Sequence, residues 1–257
     1  MVPEAMAPSP ILSVRNLSKR FEGLLALGGV SFDVEEGQIF GVIGPNGAGK
    51  TTLFSCIVGS LVPTSGEILF RRRRIDGLPN HAVVRKGIVR THQIVRPFRD
   101  MTVEQNVSVG ALFGRGKRRG NEAVRRTIGI LETTGLSHRA QAIAGTLTIG
   151  ELKRLEIARA LATEPEVICL DEVMGGLNPS EILAAMLLIR TIRDAGVTVL
   201  MIEHHIHAVV GVSDRILVLN FGEKIAEGTP QEVVADPEVV TAYLGDDSHT
   251  LLEEAGS

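Results

Sequence analysis

The sequence predicts an α/β fold in which a mainly parallel sheet carries helices on both faces and a helix-rich lobe stands beside it. Three observations carry that expectation. Short continuous apolar runs of buried-strand type, Gln38–Ile43, Val167–Leu170 and Val197–Ile202, recur with helix-length segments between them. A glycine-rich loop joins the first of these runs to a helical pattern. The stretch from about Val103 to Ala162 is dominated by helical patterns, which gives the separate lobe.

Taken in order, Leu12–Phe21 alternates weakly and reads as a strand, followed by a glycine-rich turn and a second strand near Val30–Val34. Glu35-Glu36-Gly37 turns the chain into Gln38–Ile43, and a helix runs from about Gly49 to Gly59. Pro63-Thr64-Ser65-Gly66 is a turn before a strand at Glu67–Phe70. In the helical lobe, the glycine-and-arginine loop Gly114–Gly120 separates two helices. Strand, helix, strand then follow at Val167–Leu170, Pro179–Asp194 and Val197–Ile202, with further strands at Arg215–Leu219 and around Lys224–Glu227 and a helical end.

Composition narrows the function classes. The 257 residues suffice for one large domain with a substantial core. A net charge of -3 offers no global electrostatic case for nucleic-acid binding. No apolar run approaches the roughly 18 residues that span a bilayer, so the chain is not expected to cross a membrane by itself. Residues 1–10 hold three prolines without a basic start or an apolar stretch and read as a disordered tail, not a signal peptide. Cys56 and Cys169 each sit among apolar residues without metal-ligand spacing and read as core residues of a reducing compartment.

Gly44-Pro45-Asn46-Gly47-Ala48-Gly49-Lys50-Thr51, continued by Thr52, fits the P-loop pattern, with an apolar strand before it and a helix after it. Glycines let successive backbone N–H groups turn toward phosphate oxygens at a helix N-terminus. Lys50 is placed to reach the β- and γ-phosphates and the Thr51 hydroxyl to ligate Mg²⁺. Val167–Leu170 delivers Asp171 and Glu172 at the end of a buried strand, where ligands gather in open α/β sheets. Asp171 is expected to position Mg²⁺, and Glu172 to activate the attacking water as general base.

Leu147-Thr148-Ile149-Gly150-Glu151, just upstream of the carboxylate strand, resembles the signature segment of ABC ATPases. Gln93 resembles their Q-loop glutamine, His204 their switch histidine, and Gly176-Leu177-Asn178-Pro179 their D-loop. Phe21 stands where that family places an aromatic against adenine. The resemblance runs from Leu12 to Leu244. It implies the ABC-ATPase form of the P-loop NTPase fold, a mainly parallel core sheet with an antiparallel β subdomain and a helical subdomain at about 100–162. One domain over 11–245 is expected, with a C-terminal tail at 246–257. ATP and Mg²⁺ are implied, with Gln93 joining Thr51 and Asp171 at the metal. Lys50, Glu172, His204 and Gln93 are the implied catalytic residues; Thr148, Gly150 and Glu151 are implied to meet the nucleotide of a partner subunit.

Gly87–Gln93, Phe98–Asn106, Arg154–Arg159 and the ending Tyr243-Leu244-Gly245 resemble the branched-chain amino acid uptake subfamily. That likeness implies an importer ATPase for such amino acids or related small solutes, at the cytoplasmic face of the cell membrane. Its implied partners are two permease subunits, a second ATPase subunit in a head-to-tail dimer and, indirectly, a solute-binding protein, with no nucleic acid. Three alternatives stand: a lipopolysaccharide-export ATPase, a soluble non-transport ABC ATPase, and a weakly hydrolysing regulatory subunit. The chain departs from the family pattern at Thr148, Ile149 and Glu151, at Val173 where proline is common, and at Asn178 where aspartate is commoner.

Two features read as bland. Arg71–Arg74 is expected to form a solvated hairpin. His204, His205 and His207 lack a fourth ligand for a metal, although His204 and His207 would share a face if both lay on a helix. Arg115, Lys117, Arg118 and Arg119 form a basic loop whose alternatives are solvent and anionic headgroups.

Overall fold

The computed structural model describes residues 10–91 and 96–244, with Leu244 described through its backbone. The expected tails (Pro10 excepted) and Gln93 lie outside these residues. The chain runs β1 (Leu12–Phe21), β2 (Leu24–Val34), β3 (Ile39–Ile43), α1 (Lys50–Ile57), β4 (Ser65–Phe70), β5 (Arg73–Arg74), α2 (Asn80–Lys86) and β6 (Ile88–Arg90). Three helices follow: α3 (Val103–Phe113), α4 (Gly120–Thr133) and α5 (Ile149–Ala162). The remainder is β7 (Val167–Asp171), α6 (Pro179–Asp194), β8 (Thr198–Ile202), α7 (Ile206–Val212), β9 (Arg215–Asn220), β10 (Glu223–Gly228), α8 (Pro230–Val234) and α9 (Pro237–Leu244).

The main sheet has six strands in the order β10-β9-β3-β8-β7-β6, parallel throughout except for β10. Alternation explains why its strands read as unbroken apolar runs. Ile39 and Ile43, Ile168 and Leu170, and Val199 and Met201 face one core with α3, α5, α6 and α7. Phe40 and Val42, Val167 and Cys169, and Leu200 and Ile202 face a second core with α1 and the smaller sheet. Both faces are buried, so no polar residue marks the period. Cys56 and Cys169 are free thiols in the second core, pushed up to about 11 and about 12 by burial, which leaves them unreactive.

The smaller sheet, β2-β1-β4-β5, is antiparallel, as the family resemblance implied. β2 begins at Leu24, so the expected turn through Gly28-Gly29 is strand: Gly28 N–H donates to the Gly222 carbonyl at 2.9 Å, a partner supplied by a distant hairpin. Arg71 and Arg72 form the β4–β5 hairpin turn with φ of 46° and 60°, exposed as expected. In the helical lobe, α3 packs on α4 and α5, and Gly114–Gly120 does separate two helices. Arg118 is tied to Glu164 and Glu122, and Arg115 to Glu166. Half of that basic loop is thus neutralised locally, which weakens the headgroup alternative.

The parallel strands align Val42 and Asp171 with Ile202 across β3, β7 and β8. Their C-terminal ends therefore open on one edge, and the three segments that leave it carry Lys50, Glu172 and His204.

Candidate nucleotide site

The turn from β3 into α1 is built on close backbone approach. Gly44 has φ +149°, and a Cβ there would lie 2.1 Å from the Leu219 carbonyl oxygen, so no other residue fits. Gly49, at φ 98°, caps α1, and Lys50 is its first residue. The Lys50 side chain is 5% exposed as a residue, and its Nζ donates to the carbonyls of Gly44 at 2.5 Å and Pro45 at 2.9 Å. Burial lowers its pKa, opposed by the charges of Glu172 and Asp171. The ammonium thus sits within the field of both predicted carboxylates.

Asp171 is buried at the end of β7, its N–H donating to Thr91 Oγ1 at 3.1 Å. Its Oδ2 accepts from Arg90 Nη2 at 2.5 Å, an ion pair that the sequence did not suggest, because β6 is only three residues long. Glu172 comes next, and its Oε1 lies 2.8 Å from His204 Nε2. His204 precedes α7, whose N-cap is His205, so the helical face shared with His207 does not form. A cleft of about 610 Å³ brings together Asn46 to Thr52 of the loop, Glu172 and His204, with Phe21 and Phe221 among its apolar walls. Phe221 was missed in the sequence; it is 86% exposed in the β9–β10 turn, and only the fold brings it to this cleft.

Thr148 and Gly150 are not among the walls of that cleft in the described residues. They begin α5, where Thr148 Oγ1 accepts from Glu151 N–H at 3.3 Å and Glu151 Oε2 accepts from Thr148 N–H at 2.9 Å, a capping box. A Cβ on Gly150 would meet only side-chain ends, Glu181 Oε1 at 2.7 Å being the nearest, so α6 approaches closely here through a side chain that can move aside.

A family model described as ABC transporter matches residues 27–175, more than half of this length. The chain belongs to the ABC transporter family. A second model, for the branched-chain amino acid ATP-binding cassette transporter, matches residues 223–249 of this cassette. It is 44% identical over 251 residues to the high-affinity branched-chain amino acid transport ATP-binding protein LivG of Salmonella typhimurium, covering 92% of this chain and 98% of the relative. To BraF of Pseudomonas aeruginosa, named for the same transport, it is 44% identical over 254 residues, at 92% and 98% coverage. To the lipopolysaccharide export protein LptB of Escherichia coli it is 35% identical over 236 residues, at the same 92% and 98%. The ADP conformation of MJ1267, a solved ABC transporter cassette, superposes with a TM-score of 0.85 at 34% identity, covering 92% of this chain and 99% of that one. The cassette is therefore a nucleotide-binding ATPase, and no helix among its described residues is long and apolar enough to cross a membrane.

Several departures from the family pattern have local causes in this cassette. Glu151 caps its own helix and pairs with Arg139 at 3.0 Å, so its charge is compensated within the subunit. Asn178 caps α6 by accepting from Glu181 N–H at 3.0 Å, and Pro179 takes the first helical position, roles that asparagine and aspartate fill equally. Val173 is buried in the first core.

Glu203, also missed in the sequence, is 2% exposed and accepts from Met174 N–H at 2.8 Å. Burial pushes its carboxyl up to about 7; Met174 N–H and Lys153 pull it back, while Glu172 adds to the rise. A carboxyl raised in the fold keeps its proton there more firmly than in the unfolded chain. Its ionisation therefore costs stability progressively as pH climbs from the ordinary glutamate value of 4.5 to about 7. The full penalty is on the order of 3 kcal/mol. Glu203→Gln should raise the melting temperature clearly at pH 8 and far less at pH 5, by calorimetry. An equal shift at both pH values would mean that the carboxyl is not its source.

Proposed function

We propose that this cassette powers the uptake of branched-chain amino acids or related small solutes. It works at the cytoplasmic face of the cell membrane, docked on two permease subunits that a solute-binding protein supplies. The observation that carries this reading is the likeness to LivG and BraF along nearly the whole chain, reinforced by the subfamily match at 223–249. LptB, the export relative, is less similar.

In this reading ATP occupies the cleft of Lys50, with its base against Phe21 and Phe221 and its phosphates on backbone amides of the loop at Gly47 and Gly49 to Thr52. Thr51 and Asp171 offer the hard oxygen donors that Mg²⁺ takes, and Gln93 is the third candidate donor. Bound there, Mg²⁺ supplies positive charge to the β- and γ-phosphate oxygens. Glu172 accepts the proton of the attacking water, and His204 orients the carboxylate and the γ-phosphate. Thr148, Gly150 and Glu151 stand away from their own subunit's cleft, which supports a head-to-tail pair in which each signature helix meets the partner's ATP. Glu151 contributes there by holding Thr148 in its cap. Phosphates that contact both subunits only when closed make ATP binding favour closure and hydrolysis favour opening.

Co-purification of the tagged chain from native membranes, followed by mass spectrometry and transport assays, tests the proposal. Two small permeases and a second cassette are the expected companions, with leucine-class uptake in reconstituted vesicles. Recovery with lipopolysaccharide-export components, or with ribosomes and no permease, would overturn it.

A further inference from the structure

Glu172 occupies a backbone conformation that it would not choose alone. Its φ of 49° is left-handed, a region that is costly for a residue other than glycine. Such a residue persists where its surroundings over-determine it. Hydrogen bonds on both sides of it do so here, with Gly175 N–H donating to the Glu172 carbonyl at 3.3 Å among them. Glu172 N–H donates to the Ile202 carbonyl at 2.9 Å, Lys153 Nζ donates to the Glu172 carbonyl at 2.8 Å, and Met174 N–H donates to Glu203 Oε1 at 2.8 Å.

The origins of these partners matter. Lys153 stands early on α5, the helix that begins at the signature segment. Glu203 immediately precedes His204, the residue that Glu172 Oε1 contacts. An ammonium on one side and a buried carboxyl group on the other therefore grip the turn at 172–174, one from the signature helix and one from the residue that follows β8 and precedes His204. The Lys153 bond joins a charged donor to a backbone carbonyl, the stronger class of hydrogen bond, and Glu203 holds Met174 N–H through a buried carboxyl oxygen.

We propose that Lys153 and Glu203 are positioning residues for Glu172, clamping its turn so that the carboxylate meets His204. The clamp rests on the reading of Glu172 as general base. It also makes the general base of one site depend on the placement of α5, whose N-terminus serves the other site of a head-to-tail pair. A rigid helix that shifts against the partner's nucleotide carries the Lys153 ammonium with it, and with that the Glu172 carbonyl.

A plain structural strut and a positioning residue differ in kinetics. Loss of a strut lowers stability and nucleotide affinity along with turnover; loss of positioning lowers kcat and leaves ATP affinity alone. The test uses the full chain with Lys153→Met, Lys153→Arg, Glu203→Leu and Glu203→Gln, measuring kcat, KM, the Kd of a fluorescent ATP analogue and Tm. Lys153→Met and Glu203→Leu are expected to lower kcat by about 10- to 100-fold, the loss typical of a small misplacement of a reacting group. KM and Kd should stay within about twofold, and Lys153→Arg and Glu203→Gln, which keep a donor and an acceptor, should recover most of kcat. Unchanged kcat in Lys153→Met and Glu203→Leu, equal losses in kcat and affinity, or failure of both conservative variants to recover turnover would overturn the clamp. Where an apolar variant does not fold, the conservative pair decides: kcat near wild type supports the clamp, and a large loss overturns it. Glu172→Gln separates the two readings. Normal turnover in that variant removes the general base itself, whereas a dead Glu172→Gln beside a fully active Lys153→Met removes only the clamp.

Discussion

Glu172→Gln should bind ATP with near-normal affinity and turn it over about 10²- to 10⁴-fold more slowly, the usual worth of a general base. The substitution is nearly isosteric, and the amide still reaches His204 Nε2, which lies 2.8 Å from the carboxylate now. The backbone hold on the residue, through Ile202 and Lys153, does not involve the side chain. What disappears is the ability to take a proton from water. The loss of one negative charge near Lys50 and the phosphates, if anything, favours nucleotide binding, so a closed, ATP-loaded dimer should accumulate. Phosphate release and size-exclusion with ATP check both halves. Turnover near wild type would remove the general-base assignment, and loss of binding would show that Glu172 shapes the cleft instead.

Lys50→Ala should act on the other side of the cycle, with ATP affinity falling by about 2–5 kcal/mol, a factor of roughly 30 to several thousand. Lys50 is buried within the field of Asp171 and Glu172, and its ammonium adds to Arg90, which already pairs with Asp171, in offsetting them. Truncation removes a positive charge from the phosphate loop and leaves Glu172 facing an incoming polyphosphate without it. The helix itself is spared, because alanine is the best helix former and α1 has no side-chain cap to lose. Fluorescent-nucleotide titration reads the loss, with circular dichroism as the folding control. An unchanged Kd would count against the phosphate site as drawn.

Legibility followed the range of the forces involved. The strand Leu12–Phe21 and the helix Pro179–Asp194 were readable to the residue, since alternation in one and a helix-length segment between two apolar runs in the other are signals carried along the chain. β6 was not, because three residues hold no period and its partner strand lies far along the chain. Gly28-Gly29 read as a turn because glycine usually breaks strands, yet the β9–β10 hairpin supplies a hydrogen-bond partner there. His204 lies beside Glu172, as the resemblance leads one to expect, and it precedes the helix that begins at Ile206.

The sequence by itself determined the family, and it carried the candidate phosphate loop and carboxylate pair in contiguous runs. The residue types of such runs are dictated by backbone conformation or by the chemistry of a single ligand. Tertiary structure alone decided that Arg90 pairs with Asp171, that Arg139 compensates Glu151, that Phe221 joins the cleft and that Lys153 and Glu203 hold the turn of Glu172. Those contacts depend on the register of parallel strands and on how α5 packs against β7. Both are set by the burial of two cores at once, and no local pattern along the chain encodes them.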